Sequence, residues 1–362
     1  MTSFTPYDCH DVLPVSLQSA VRWSRGDARK SLELAPDVRN TLGLQTPGNA
    51  RRLWRGLAEL GCLDLTVARV VEPHLDALSI LEQARDFNPV VFVPDRSTWG
   101  VFAAEGACPP LRAERDADGG WRLTGRKPWC SLAGYLSHAL VSAWTSERGR
   151  TLFAVRLTGD NVSVSGAPWV SRGLREVETV TLDFDAVPAH DVGPEDWYLS
   201  RPGFALGAVG VAAVWWGGAS ALVQQLHMHL AQRADSKADS KADSPAAVDQ
   251  ISLWHLGRCD AALVAAGAVL EQLAGRVDGD GHAGDPEWAE ALRARAVVHD
   301  ACETVLTSVT HALGPAPLTG DEDFARRVAD LQVYLRQHKP EKDLATVGSR
   351  ALDGLPTVWG GR

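Results

Sequence analysis

The segment "GWRLTGRKPWCSLAG", residues 120–134, opens on a glycine and alternates apolar with polar residues through Leu123. After Gly125 it sets two bases and a proline before Trp129, with Cys130 and Ser131 directly behind. Alternation bounded by glycines reads as a strand of a hairpin. Two readings of Trp129 follow from residue chemistry. An indole fills a core, or it offers a flat face on which a ring can stack while the Ser131 hydroxyl hydrogen-bonds the ring's edge. Cys130 reads as a small buried hydrophobe, with no base near it in sequence.

Outward from this segment the character stays β for about a hundred residues. "TWGVFAA", "HALVSAW", "TLFAVRL", "VSVSGAPWV" and "ETVTLDFDAVP" are short, rich in β-branched and aromatic residues, and punctuated by Gly, Pro, Asp and Asn. "VVFVP" at 90–94 reads the same way. A β-domain is therefore expected over residues 89–200. Upstream, residues 1–88 read as helical: "NARRLWRGLAELGCLDL" places Leu53, Leu57 and Leu60 on one face with arginines opposite. Downstream, helices are expected over 204–232, 246–276, 286–313 and 321–338, an antiparallel four-helix bundle within 201–345 followed by a tail at 346–362. The repeat "ADSKADSKADS" (234–244) lacks an apolar face and reads as a flexible, solvated linker. The expected class is α+β, in the order helical, β, helical.

Composition sets the outer limits. Hydrophobic residues at 45% and charged residues at 22% are ordinary for a soluble globular chain. A net charge of −9 without a basic cluster argues against nucleic-acid partners. No CxxC pair occurs among the six cysteines, which read as reduced thiols of a cytoplasmic protein. His227 and His229 are two apart on a helix and so do not share a face, and no metal site is expected. The glycine-rich stretch "GFALGAVGVAAVWWGGASALV" reads as a buried helix, and no membrane partner is expected.

Three segments together resemble the acyl-CoA dehydrogenase superfamily. "GGWRLTGRKPWCSLAGYLSHALVSA" is similar to the family's G-x-x-L-x-G-x-K-x-W-I-T-N run. "GLREVETVTLDFDAVPAHDVG" is similar to its strand ending in F-x-x-V-x-V-P. "RPGFALGAVGVAAVWWGGASALV" is similar to the opening of its helical bundle. The resemblance covers most of the chain. It implies the family's fold, an N-terminal helical domain, a middle β-domain and a C-terminal four-helix bundle. It also implies FAD held between β-domain and bundle, a small acyl substrate bound to CoA or to a carrier protein, and a homodimer or homotetramer whose second subunit completes the site.

Carried over by position, Trp129 lies against the flavin and Ser131 stands where the family has a threonine. Trp99 keeps an aromatic position in "TWGVFAAEG", and Phe102 or Ala103 falls where a flavin-contacting hydroxyl is expected. Arg233 matches the arginine of the family's R-x-x-F-G, and Gln250 the first glutamine of F-Q-x-x-Q. Several family features are altered. The repeat replaces F-G, Leu253 replaces the second glutamine, and Q-x-x-G-G-x-G is reduced to "THALGPAP". FAD is the implied cofactor, with FMN or an empty site as alternatives.

The family's dehydrogenases take the substrate's α-proton with a glutamate in Y-E-G-T. Counting from Asp330, that position falls on His338, and Glu341 stands three residues on, behind Pro340. His338 and Glu341 are the two candidate catalytic residues, and a helix-capping role is the plain reading of His338. The implied function is a flavin-dependent oxidoreductase acting on an acyl thioester or related small acyl compound. Two alternatives stand beside it. One is a flavin-dependent monooxygenase or biosynthetic enzyme using His338. The other is a non-catalytic structural or regulatory subunit.

Overall fold

The computed structural model describes residues 11–46, 48–87, 93–94, 96–106, 110–201, 203–238, 248–279 and 288–354. Among the described residues five helices come first: α1 (Val15–Trp23), α2 (Ala28–Glu33), α3 (Ala35–Leu42), α4 (Ala50–Leu63) and α5 (Leu65–Gln83). α4 buries Leu53, Trp54, Leu57 and Leu60, the stripe expected from its spacing. Asp64 separates α4 from α5 and caps the latter, its Oδ1 accepting the Val67 N–H at 3.0 Å.

Seven strands follow: β1 (Trp99–Phe102), β2 (Arg112–Arg115), β3 (Trp121–Ser131), β4 (His138–Trp144), β5 (Arg150–Arg156), β6 (Val162–Ser165) and β7 (Thr179–Val192). They lie in the order β1-β4-β2-β3-β7-β5. β4 pairs with β2 and also with β5, closing the sheet on itself, and β6 adds to β7. Closure leaves few open edges and buries one face of every central strand. Only the start of "VSVSGAPWV" is strand, and its tail is loop. β2 lies outside the strands expected from sequence, because three of its four residues are charged and Ala113 alone carries the apolar signal.

Five helices complete the main body: α6 (Trp197–Ser200), α7 (Phe204–Ala238), α8 (Gln250–Asp278), α9 (Trp288–Leu313) and α11 (Glu322–Leu335), with the short α10 (Pro315–Gly320) between the last two. The long apolar stretch of the sequence is α7, sheathed by its neighbours: Trp215 and Trp216 are both fully buried. The indole N–H of Trp216 donates to the Leu263 carbonyl at 2.9 Å. α7 crosses α4 closely, since a Cβ on Gly217 would collide with the Ala58 carbonyl.

Two expectations change. α7 runs on to Ala238, over the first residues of the Ala-Asp-Ser-Lys repeat, because extending an existing helix costs far less than starting one. The rest of the repeat, and residues 90–92 of the strand expected at 90–94, lie outside the described residues, and Val93 and Pro94 are not strand. At the other end α11 stops at Leu335, and a further helix, α12 (Pro340–Leu352), crosses the point where a tail was expected. Pro340 sits in the first turn of α12, where its missing N–H costs nothing.

One contiguous core joins the first helices, the sheet and the bundle. The loop between β6 and β7 is fixed to α11. A Cβ on Gly173 would overlap the Ala329 carbonyl, and the next residue's N–H donates to Asp330 Oδ1 at 2.6 Å.

Candidate functional site

The site is built around a fault in the β3–β7 ladder. Lys127 pairs with Leu182 and Cys130 with Val180, so β3 carries one extra residue in that interval. This β-bulge falls at Pro128 and Trp129, where proline has no N–H to lose. Trp129 takes a left-handed backbone, φ +62°, rare and costly for an aromatic residue. Trp129 is turned out of the pleat and stays 62% exposed, while Cys130 beside it is fully buried. Ser131 Oγ meets Thr179 Oγ1 across the strands at 2.9 Å.

Two residues back, Lys127 points inward and is almost wholly buried. Its Nζ donates to Glu105 Oε1 at 2.9 Å, to the Ser142 carbonyl at 2.8 Å and to Ser142 Oγ at 2.9 Å. That knot ties the chain after β1 to β3. Burial pushes the Glu105 carboxyl up, but the hydrogen bond and charge of Lys127, helped by Arg150, outweigh it and hold the group below its ordinary range.

A cavity of 510 Å³ opens between the sheet and the bundle. Its sheet wall carries Trp129, Ser131 and Thr179, with Val101 and Ala104 from β1 and its continuation. Its helical wall carries Arg69 of α5, and Val333, Arg336, Gln337 and Lys339 from α11 and the turn after it. Glu105 is the one carboxylate among the described lining residues. The volume is that of a site for a small organic ligand. A flat indole, a paired hydroxyl edge and three cations, of which Arg69 is shared with Glu72 and Arg336 with Glu303, suit a planar ring joined to an anionic group. A flavin fits that description. Trp129 would take its face, Ser131 and Thr179 its polar edge, and Arg69, Arg336 and Lys339 its negative charge.

The remaining sequence candidates lie elsewhere. Trp99 is buried, stacked on His138 at 4.8 Å and 21°, with its indole N–H on Ser97 Oγ at 2.8 Å. Phe102 is buried in the core. Phe102 points to the opposite side of β1 from Val101, the β1 residue that lines the cavity, whereas Trp99 shares Val101's side of the strand but is packed on His138. Arg233, near the C-terminal end of α7, and Gln250, the exposed first residue of α8, do not line it in this protomer.

His338 is buried beside the cavity rather than in it; Gln337 and Lys339 on either side do line it. The imidazole packs among Trp215 and His299, with ring centroids at 5.8 and 5.1 Å. Its Nδ1 lies 3.2 Å from Asp343 Oδ2 but is too poorly aligned for a hydrogen bond. Burial, with the Arg295 charge, pulls its pKa down to about 4 against the opposing Asp343. Glu341 is exposed in the first turn of α12. Sequence reading overlooked Glu105 as the partner of Lys127, although the lysine stands at an inward strand position where a charge demands one. It also overlooked Arg69, Thr179 and Gln337, whose relation to the cavity depends on tertiary packing.

Among known families, the profile described as acyl-CoA dehydrogenase, C-terminal domain, matches residues 197–335. The whole chain superposes on glutaryl-CoA dehydrogenase from Mycobacterium smegmatis with a TM-score of 0.74, covering 96% of this chain and 97% of that one at 17% identity. Residues 197–335 thus match that family's C-terminal domain, and the chain as a whole has the acyl-CoA dehydrogenase fold. Other solved structures are comparably similar. Dibenzothiophene monooxygenase (TdsC) from Paenibacillus sp. A11-2 matches with a TM-score of 0.71 and 18% identity, over 94% of this chain and 96% of that one. It has also been solved as a complex with FMN and indole. A steroid ACAD variant matches at 25% identity with a TM-score of 0.68, over 94% and 97%. A comparison with curated protein sequences returned no match. Dehydrogenase and monooxygenase thus share this superfamily fold, and among the described residues no group of three or more metal-ligating side chains occurs.

Proposed function

We propose that this chain is a flavin-dependent oxidoreductase acting on a small acyl substrate, carried as a thioester of CoA or of a carrier protein. The observation that supports it is the strained bulge that turns the Trp129 indole out beside the Ser131–Thr179 hydroxyl pair, at the wall of the 510 Å³ cavity. Strain of this kind persists where the fold holds it in place, and it gathers at ligand sites. A bound flavin supplies hydride acceptance and, once reduced, reaction with oxygen. The chain's own residues hold the ring, neutralise its charge and keep water from one of its faces.

FAD is the proposed flavin, and it carries a structural condition. Arg233 and Gln250 lie away from the cavity in this protomer, so the adenine half would be held by those residues of a second subunit. α8 supports such an assembly. Leu253, Trp254 and Val264 stand 52, 55 and 48% exposed on one side of it, an apolar face suited to a second copy of the chain. FMN needs no such partner.

A second reading is favoured by one observation. Gln337 lines the cavity where a proton-abstracting carboxylate would be useful, and Glu105 is held ionised by Lys127. Gln337 has no basic form, and a carboxylate with a depressed pKa is a poor base. Oxygen chemistry on reduced flavin, as in a monooxygenase, does not require α-proton abstraction.

The test is an absorbance spectrum of the purified protein, followed by anaerobic addition of acyl thioesters. A yellow protein bleached by substrate supports the dehydrogenase reading. Turnover only with reduced flavin and oxygen supports the monooxygenase. Protein that neither carries nor takes up FAD or FMN removes both and leaves the structural-subunit alternative.

A further inference from the structure

On the outer face of the sheet lies a second concavity, of 630 Å³, whose lining is distinct from that of the Trp129 cavity. Strand register explains its composition. Trp99 pairs with His138, His138 with Arg156, Ala154 with His190, and Arg122 with Pro188. Paired residues share a face, as do residues two apart, so these side chains all project from the same side of five strands. The set includes two guanidinium groups, two imidazoles and an indole, over a floor of Ala154 and Pro188.

What this face lacks is equally informative. The chain has 45 acidic residues against 36 basic ones, yet no carboxylate is among the described residues lining the concavity, although Glu114 stands opposite Arg122 on β2. Arg122 is shared with Asp116 at the rim, Nε to Oδ2 2.8 Å. Arg156 donates from Nε to Thr158 Oγ1 at 2.7 Å, an uncharged partner. Arg156 and His138 stand directly opposite each other, an arrangement that like charges disfavour. His138 Nδ1 is engaged with Ser137 Oγ at 2.9 Å.

We infer that this face is a binding site for a small phosphate-bearing molecule with an aromatic or other apolar body. The dianion would be met by Arg156 and Arg122, with His138 and His190 as further donors, and the apolar body would lie on Ala154 and Pro188 toward Trp99. Two guanidinium groups suit a doubly charged phosphate better than a single carboxylate, and the volume suits a small molecule rather than a polymer. The site does not depend on the flavin reading.

The probe is phenyl phosphate, titrated into the full chain while the imidazole NMR signals of His138 and His190 are followed. His138→Gln and His190→Gln variants assign those two signals. Saturable shifts of both are expected, and phenol, which lacks the phosphate, should leave them unmoved. Arg156→Ser and Arg122→Ser should each weaken binding at least tenfold while leaving the thermal midpoint and flavin content at wild-type values. The inference is overturned if neither signal saturates, if phenol shifts them equally, or if both serine variants bind as the wild type does. A fold-disrupting loss in either variant would be seen in the midpoint, and the titration of wild-type protein still decides.

Discussion

Lys127 and Glu105 form an ion pair whose two ends face different surroundings: the lysine side chain is 2% exposed and the glutamate 37%. The ammonium is committed to the interior, where Ser142 supplies its other two hydrogen bonds, while the carboxylate stands at the cavity wall. The pair joins the segment after β1 to the bulged strand that carries Trp129.

Removing the lysine should therefore damage both fold and site. Lys127→Met is expected to cost about 2–4 kcal/mol in urea unfolding, below the full value for a broken buried pair because water screens Glu105. Glu105→Gln keeps an acceptor for the ammonium and should cost less. Equal losses in the two variants would show that burial of the lysine is not the source.

Trp129 should show stability and binding pulling apart. Trp129→Gly relieves a left-handed backbone and removes an indole that is mostly in water, so unfolding stability is expected within about 1 kcal/mol of wild type. Flavin affinity, read by fluorescence titration, should fall at least tenfold through the lost stacking surface. A destabilised variant that still binds flavin normally would reverse the assignment.

His338 predicts a pH effect. Its folded-state pKa, about 4, lies below the ordinary 6.5, so between those values the unfolded chain binds a proton that the folded chain does not. Stability from this residue is complete above pH 6.5 and is lost as pH falls toward 4, by on the order of 2–3 kcal/mol. His74, also lowered to about 4 by burial, acts in the same direction. Glu72 and Asp330, raised by burial to about 7 and 6, act oppositely. The difference between wild type and His338→Gln isolates the residue: it should vary with pH across that window. A constant difference would mean that the imidazole does not titrate as buried.

The apolar face of α8 gives a prediction about assembly. Wild-type protein should sediment as a dimer or larger, and Trp254→Glu with Val264→Glu should shift it to monomer with an unchanged far-ultraviolet spectrum. Both positions are half in water in the protomer, so folding does not require them. A wild-type monomer would leave FAD without its second subunit and favour FMN.

How far the residues could be read from sequence depended on the range of the interaction that fixes them. α4 was legible because its apolar residues recur at helical spacing, α7 because its apolar run is long and unbroken, and β3 because alternation and glycines mark it. Trp129 and Ser131 reach the cavity as their position in that strand suggested. Phe102 falls on the side of β1 opposite the cavity-lining Val101, and Trp99 is packed on His138, positions that placement by resemblance does not resolve. His338, the candidate reached by counting from Asp330, is buried beside the cavity. A break of a few residues between α11 and α12 turns one side chain into the cavity and the next into the bundle, and residue identity does not reveal which.

The contact between Gly173 and the Ala329 carbonyl has a consequence for how any ligand is received. The loop carrying Leu174 and Val177 and the helix carrying Val333 both line the cavity, and that contact and the Asp330 hydrogen bond weld them together. They cannot part without unlatching a backbone seated on a helix. That part of the slot is settled when the chain folds, so a planar guest finds it ready-made and gives up little freedom to shape it. A bulky substituent at Gly173 would act as a wedge, reshaping the slot from a point that touches no ligand.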